Sequence, residues 1–183
     1  MKLVLQQLAD PGEAMNTSLL KCDPNKMIIE HINIPGLHIL LGVVDKLITE
    51  IEKNLFESKE EGVNFMTEYL NTINLGRVSY QGQHRLEGNA SNKFLKNVDK
   101  LEAYFGKHNV GLQGAKYIEI LRDFNKVVQG CFGKTVSETY VEDIDKFSRD
   151  FRGLSISVPV KIHIVEQHIE EFINLKGGSF GKF

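Results

Sequence analysis

Tryptophan is absent from the 183 residues, and cysteine occurs only twice, at Cys22 and Cys131. Two cysteines so far apart cannot build the disulfide framework of a small secreted domain. Cys131 sits in an apolar helical pattern and reads as a buried free thiol, which fits a reduced compartment best. No apolar run approaches the roughly 20 residues that a membrane-spanning helix requires. The opening stretch Met1 to Asp10 is too short and polar for a signal peptide, so an intracellular location, cytoplasmic or nuclear, is expected. Asn16-Thr17-Ser18 and Asn89-Ala90-Ser91 then match the glycosylation spacing by chance. No charge of one sign dominates either. Lys and Arg number 22 against 24 Asp and Glu, a net charge of -2. That balance excludes bulk attraction to nucleic acid or anionic lipid and leaves only a local basic patch that the fold would have to assemble.

What is present suits a soluble globular domain. Hydrophobic residues make up 42% and charged ones 25%, enough apolar surface for a substantial core and too much for disorder. The length favours one domain. The expected organisation is an N-terminal arm over 1–34, a helical domain over 35–176 and a flexible C-terminal tail over 177–183.

The arm carries two turn signals, Asp10-Pro11-Gly12 and Asp23-Pro24-Asn25. Its Met27 to Asn33 stretch reads as a short strand or an extended arm. Beyond Pro35, a residue suited to a helix start, the pattern changes. Leu37, Leu40, Leu41, Val44, Leu47, Ile48, Ile51 and Leu55 recur at steps of three and four, one stripe of a helix. Asp45, Lys46, Glu50, Glu52 and Lys53 take the other face. A second helix follows Glu57-Ser58-Lys59-Glu60-Glu61, with Val63, Met66, Tyr69, Leu70 and Ile73 inward and Gly76 at its end. Arg77 to Gly88 reads as a polar loop. Asn89 caps the next helix, which buries Phe94, Leu95, Val98, Leu101 and Tyr104 and can break at Asn97-Val98-Asp99.

Gly106, Gly111 and Gly114 punctuate a connection. A helix then runs from Tyr117 through Ile118, Ile120, Leu121, Phe124, Val127 and Val128 to Cys131, stopped by Gly130 and Gly133. Ser137-Glu138-Thr139 starts another, with Tyr140, Val141, Ile144, Phe147 and Phe151 inward. The last begins near Pro159 and buries Val160, Ile164, Val165, His168, Ile169, Phe172 and Ile173; Lys176-Gly177-Gly178 closes it. About six helices and little strand imply an all-α fold, a helical bundle or an orthogonal array.

Motifs with chemical potential are few. Gly133-Lys134-Thr135 resembles the end of a phosphate-binding loop, but the required earlier glycine is Val128 and a helix stands where a strand should. His163 and His168 are spaced five apart, whereas zinc-binding histidines on a helix prefer four. His168 is expected in the core stripe and His163 at the surface or as a cap. The acid pairs Glu60/Glu61, Asp143/Asp145 and Glu170/Glu171 read as solvated faces, because acid–base work needs one carboxyl desolvated and its neighbour not. No nucleophile elbow surrounds any serine. No catalytic residue, metal ligand or cofactor is therefore expected. Arg77, Tyr80, Gln83, His84 and Arg85 could touch phosphate or stack a base, with Lys93 and Lys96 nearby; a polar connector is the simpler reading.

Several pieces together resemble proteins encoded by a group of eukaryotic DNA transposons. They are Pro35 to Val44, Leu86-Glu87-Gly88-Asn89 with Phe94-Leu95-Lys96-Asn97, Ile156-Ser157-Val158 leading to Lys161-Ile162-His163, and His168 to Phe172. The similarity covers roughly residues 27 to 183, and the order and spacing of the pieces are more specific than any one of them. The resemblance implies the helical insertion and flanks of an RNase-H-like transposase. Such enzymes hold two metals with acids. Near the Leu37-His38 pair, where related transposases carry one acid, this sequence has Gly36, and the closing Gly178 to Phe183 resembles the lead-in to an acidic segment that does not follow here. What the resemblance implies is a noncatalytic remnant. The expected function is binding of a protein partner through a helical surface. The alternative is a DNA-binding remnant using Arg77, Tyr80, His84, Arg85, Lys93 and Lys96, and a metal-dependent nuclease fragment comes third.

Overall fold

The computed structural model describes residues 36–80, 83–176 and 178–179, with the side chains of Tyr80, Gln83 and Lys176 excepted. The expected arm over 1–34, its short strand, Pro35, Cys22 and the Asn16 triplet lie outside the described residues, as do Gly177 and 180–183 of the tail.

The fold is all-α. Its helices are α1 (Gly36–Asn54), α2 (Lys59–Thr72), α3 (Gly88–Lys96), α4 (Val98–Lys107), α5 (Gly111–Cys131), α6 (Tyr140–Arg152) and α7 (Val160–Lys176), and a small antiparallel hairpin joins α2 to α3. The hairpin strands are β1 (Val78–Tyr80) and β2 (Gln83–Arg85). Val78 pairs with Arg85, Ser79 with His84 and Tyr80 with Gln83. Two helices organise the rest. α1 packs against α2, α3, α5 and α7, while α5 also packs against α3, α4 and α6.

Being surrounded changes what α1 buries. Ile39, Leu40, Val43, Val44, Leu47, Ile48 and Ile51 are all buried, a wider arc than one stripe. The expected stripe is corrected at two places. Leu37 is 53% exposed, with its Cδ1 lying against Gly88, and Leu41 is only half-buried. Glu50 and Glu52, expected on the solvent face, are buried. Each is matched by a partner: Lys46 Nζ lies 2.7 Å from Glu50, and Arg77 holds Glu52.

α2 starts at a cap that its sequence spells out. The Ser58 hydroxyl accepts from Glu61 N–H at 3.1 Å, and the Glu61 carboxylate accepts from Glu57 N–H at 3.2 Å, a variant of the capping box. The helix buries Phe65, Met66, Tyr69 and Leu70, whereas Val63 and Ile73 are half-buried. It ends before Gly76, because Asn74 takes the left-handed conformation at φ 54° and Leu75 N–H returns to Leu70 O at 2.9 Å. Asparagine can fill this glycine-like position. A Cβ on Gly62 would stand 2.1 Å from Glu52 O, so α1 and α2 approach closely only because that side chain is missing.

The expected polar loop over 77–88 is instead the hairpin. Asn89 is no cap: α3 begins at Gly88 after Glu87. The break at Asn97 is real and separates α3 from α4. Tyr69 OH donates to Asn97 O at 2.8 Å across it. α5 begins at Gly111 rather than Tyr117, and Gly114 is enclosed within it against Phe105. Gly130 lies inside α5 too. α6 buries Ile144, Phe147 and Phe151. In α7 the buried set is Ile162, Val165, Ile169, Phe172 and Ile173; Val160 is 74% exposed. His168 is half-buried rather than core, since its Nδ1 sits 3.2 Å from Glu171. Ser179, expected in a flexible tail, is 1% exposed and hydrogen-bonded to the end of α5.

Candidate functional site

The hairpin brings part of the expected basic cluster together and then occupies its charges. Arg77 leaves the turn after α2 and points inward, where its Nη2 pairs with the Glu52 carboxylate; the two side chains are 11% and 5% exposed. Its Nε is buried without an acceptor. Arg85 Nε lies 3.4 Å from Asp45 Oδ2 at a half-open surface. His84 is exposed, and so are Lys93 and Lys96 on α3. Tyr80 and Gln83 join the ladder through their backbones, and their side chains lie outside the described residues. Beside the hairpin runs an open groove of about 300 Å³, lined by Val63, Thr67, Leu70 and Asn71 of α2 with Leu75, Gly76, Arg77 and His84.

A second groove, of about 320 Å³, lies between Asn54 of α1, the start of α5 (Gln113, Lys116, Tyr117) and the segment after α6 (Gly153, Leu154, Ile156). Two of its lining residues, Asn54 and Tyr117, belong to a polar chain that continues along α1. Lys46 and Asn54 both donate to Glu50, and Asn54 also donates to Tyr117 OH at 3.1 Å. Burial opposes ionisation of Glu50, but those hydrogen bonds prevail and hold its carboxyl below the usual range. Burial raises the Tyr117 phenol. Leu112, next to Gln113, is 89% exposed, and the segment leaving the groove continues to Val158 and Val160, 38% and 74% exposed. Sequence reasoning missed this surface. Its one advance signal was Leu112 itself, an apolar residue among Gly111, Gln113 and Gly114 with no stripe to join.

Several other acids are engaged in the framework. Asp123 is buried at the α5–α6 interface, where Lys146 Nζ meets it at 2.5 Å and Asp150 at 2.9 Å. Burial raises the Asp123 carboxyl, while Lys146 holds that of Asp150 below its ordinary value. A desolvated acid beside an ionised one is the pattern of acid–base sites, but neither carboxyl lines either groove. Glu166 receives both Arg152 Nε and Nη2, at 3.1 and 2.7 Å. Glu61 belongs to the α2 cap, and Asp143 accepts from Thr139. His163 and His168 do meet, ring edge to face, with centroids 5.4 Å apart. Among the described residues no three or more His, Cys, Asp or Glu stand where they could hold a metal ion. Gly133-Lys134-Thr135 follows the C-terminus of α5, the negative end of the helix dipole, which repels phosphate. No described helix is long and apolar enough to cross a membrane. Compared with known proteins, the chain matches no family model, no curated protein and no solved structure.

Proposed function

We propose that this chain is a noncatalytic helical module, descended from a transposase-like ancestor, that binds a protein partner inside the cell through the surface flanking the start of α5. The observation that carries this reading is Leu112. At 89% it is the most exposed large apolar side chain among the described residues, and its neighbour Gln113 lines a groove. An aliphatic side chain left in water next to a concavity is a ready anchor for a partner. The polar chain from Lys46 through Asn54 to Tyr117 would orient it. The resemblance to transposase insertions supports the ancestry, and Gly36 at the place of an acid supports loss of catalysis.

The test is affinity capture from native cells with the full chain, its Leu112→Asp variant and its Val160→Asp variant. Both changes lie at the surface and should leave the urea midpoint within about 0.5 kcal/mol of the parent. Proteins retained by the parent and lost with Leu112→Asp support the reading. An identical capture profile for parent and variants would refute it.

A second reading, DNA binding, draws on exposed His84, Lys93 and Lys96. It is weakened by the commitment of Arg77 and Arg85 to Glu52 and Asp45, since a neutralised cation releases no counterions on binding phosphate. Affinity for duplex DNA that falls steeply with salt would favour it.

A further inference from the structure

The C-terminus of α5 is closed in part by a residue remote in sequence. The last carbonyls of a helix find no donor within it, and the common remedy is a left-handed glycine just beyond the end. α5 has a glycine there, yet Gly133 is not among the positive-φ residues of the described chain. Other donors reach in instead. Phe132 N–H bonds Val128 O at 3.0 Å, and Ser137 N–H bonds Gly130 O at 2.9 Å. The next donor comes from beyond α7: Ser179 Oγ lies 2.7 Å from Cys131 O and 2.6 Å from Gly133 O. A hydroxyl has one proton, so the two carbonyls share it. Ser179 is 1% exposed, a small polar side chain whose burial these acceptors reward.

We propose that Ser179 is a latch. Its hydroxyl ties residue 179 to the end of α5, and its release opens the last turn of α5 and the 132–139 connection as a local unit while the remaining helices stay packed. Local openings of this kind occur at free energies well below global unfolding. Occupancy of the latch and closure of the α5 end are therefore mutually dependent. The chain carries its own reporter at that place. Cys131 is fully buried, with burial and the neighbouring Asp143 charge pushing its thiol up to about 12, so the closed state is inert toward thiol reagents.

The experiment uses the full chain carrying Cys22→Ser, so that Cys131 alone reacts with a disulfide reagent such as DTNB under native conditions. Ser179→Ala is compared with the parent and with Val43→Ala, a core truncation on α1 that lowers global stability. Losing one net hydrogen bond should raise the opening equilibrium about tenfold. Ser179→Ala should therefore react about ten times faster at Cys131, with faster amide exchange at Phe132 and Ser137 and a nearly unchanged urea midpoint. Val43→Ala should lower the midpoint without that local gain. An unchanged Cys131 rate in Ser179→Ala would overturn the proposal. So would a gain matched by Val43→Ala, because the opening would then be global.

Discussion

Replacing Arg77 with methionine removes the cation paired, among the described residues, with the buried carboxylate of Glu52. Breaking a buried ion pair from one side costs about 3–5 kcal/mol, because the remaining charge is stranded away from water. Part of that cost is offset here. Arg77 Nε is itself buried without an acceptor, a defect worth about 1–3 kcal/mol that methionine abolishes. The expected net loss is about 2–3 kcal/mol, a large share of the ~5–15 kcal/mol that holds a domain together. Equilibrium urea unfolding reads it directly: the midpoint should fall with the slope unchanged. Thermal melting should drop by about 4–12 °C. The double variant Glu52→Leu/Arg77→Met replaces both charges by apolar groups and should recover to within about 1 kcal/mol of the parent, or exceed it. A loss under about 0.5 kcal/mol for Arg77→Met, the range of ordinary surface changes, would refute the pairing and return Arg77 to the candidates for nucleic-acid contact.

The remaining expectations concern the core and the acids. Val44→Asp, at a fully buried site, should cost more than 4 kcal/mol and leave the chain unfolded by circular dichroism, while Leu41→Asp at its half-buried site should remain folded. Gly62→Ala should lower the urea midpoint by about 1–3 kcal/mol despite alanine's better helix propensity, since its Cβ meets the α1 backbone at Glu52. Glu50, its carboxyl held low, contributes stability that is present above its ordinary value of 4.5 and is lost as pH falls through the folded value. Glu50→Gln should therefore flatten the acid limb of the stability profile. Asp123 has the opposite sign: raised by burial, it favours the fold when protonated and opposes it as pH rises above 3.8. The stability of Asp123→Asn relative to the parent should rise across that window.

The helices were legible because their apolar residues recur at helical spacing, and the break at Asn97 was legible because polar residues interrupt the pattern there. The register within α1 was not. Four neighbours around one helix bury Ile39 and Val43 as well as the stripe, whereas Leu37, in the helix's first turn, is 53% exposed. Glu50 read as solvent-facing although spacing pairs it with Lys46 and Asn54, because the elements that cover this face of α1 are remote in sequence; Glu52 did because its partner Arg77 arrives from beyond α2. The hairpin was hidden by its polarity: Val78 alone marks β1 as apolar on a strand of three residues. Of the candidate site, the sequence placed Arg77 and Arg85 in one polar loop, but the acids that neutralise them come from α1. Ser179 lies 46 to 48 positions from the carbonyls it serves, and no local pattern could announce it.

The most direct test of the account is an amide hydrogen-exchange footprint of the full chain with and without the partner captured from its cells. Slowed exchange confined to 111–117 and 153–160 is the predicted result. Protection over the hairpin and α3, residues 77–96, with the start of α5 unchanged, would contradict it.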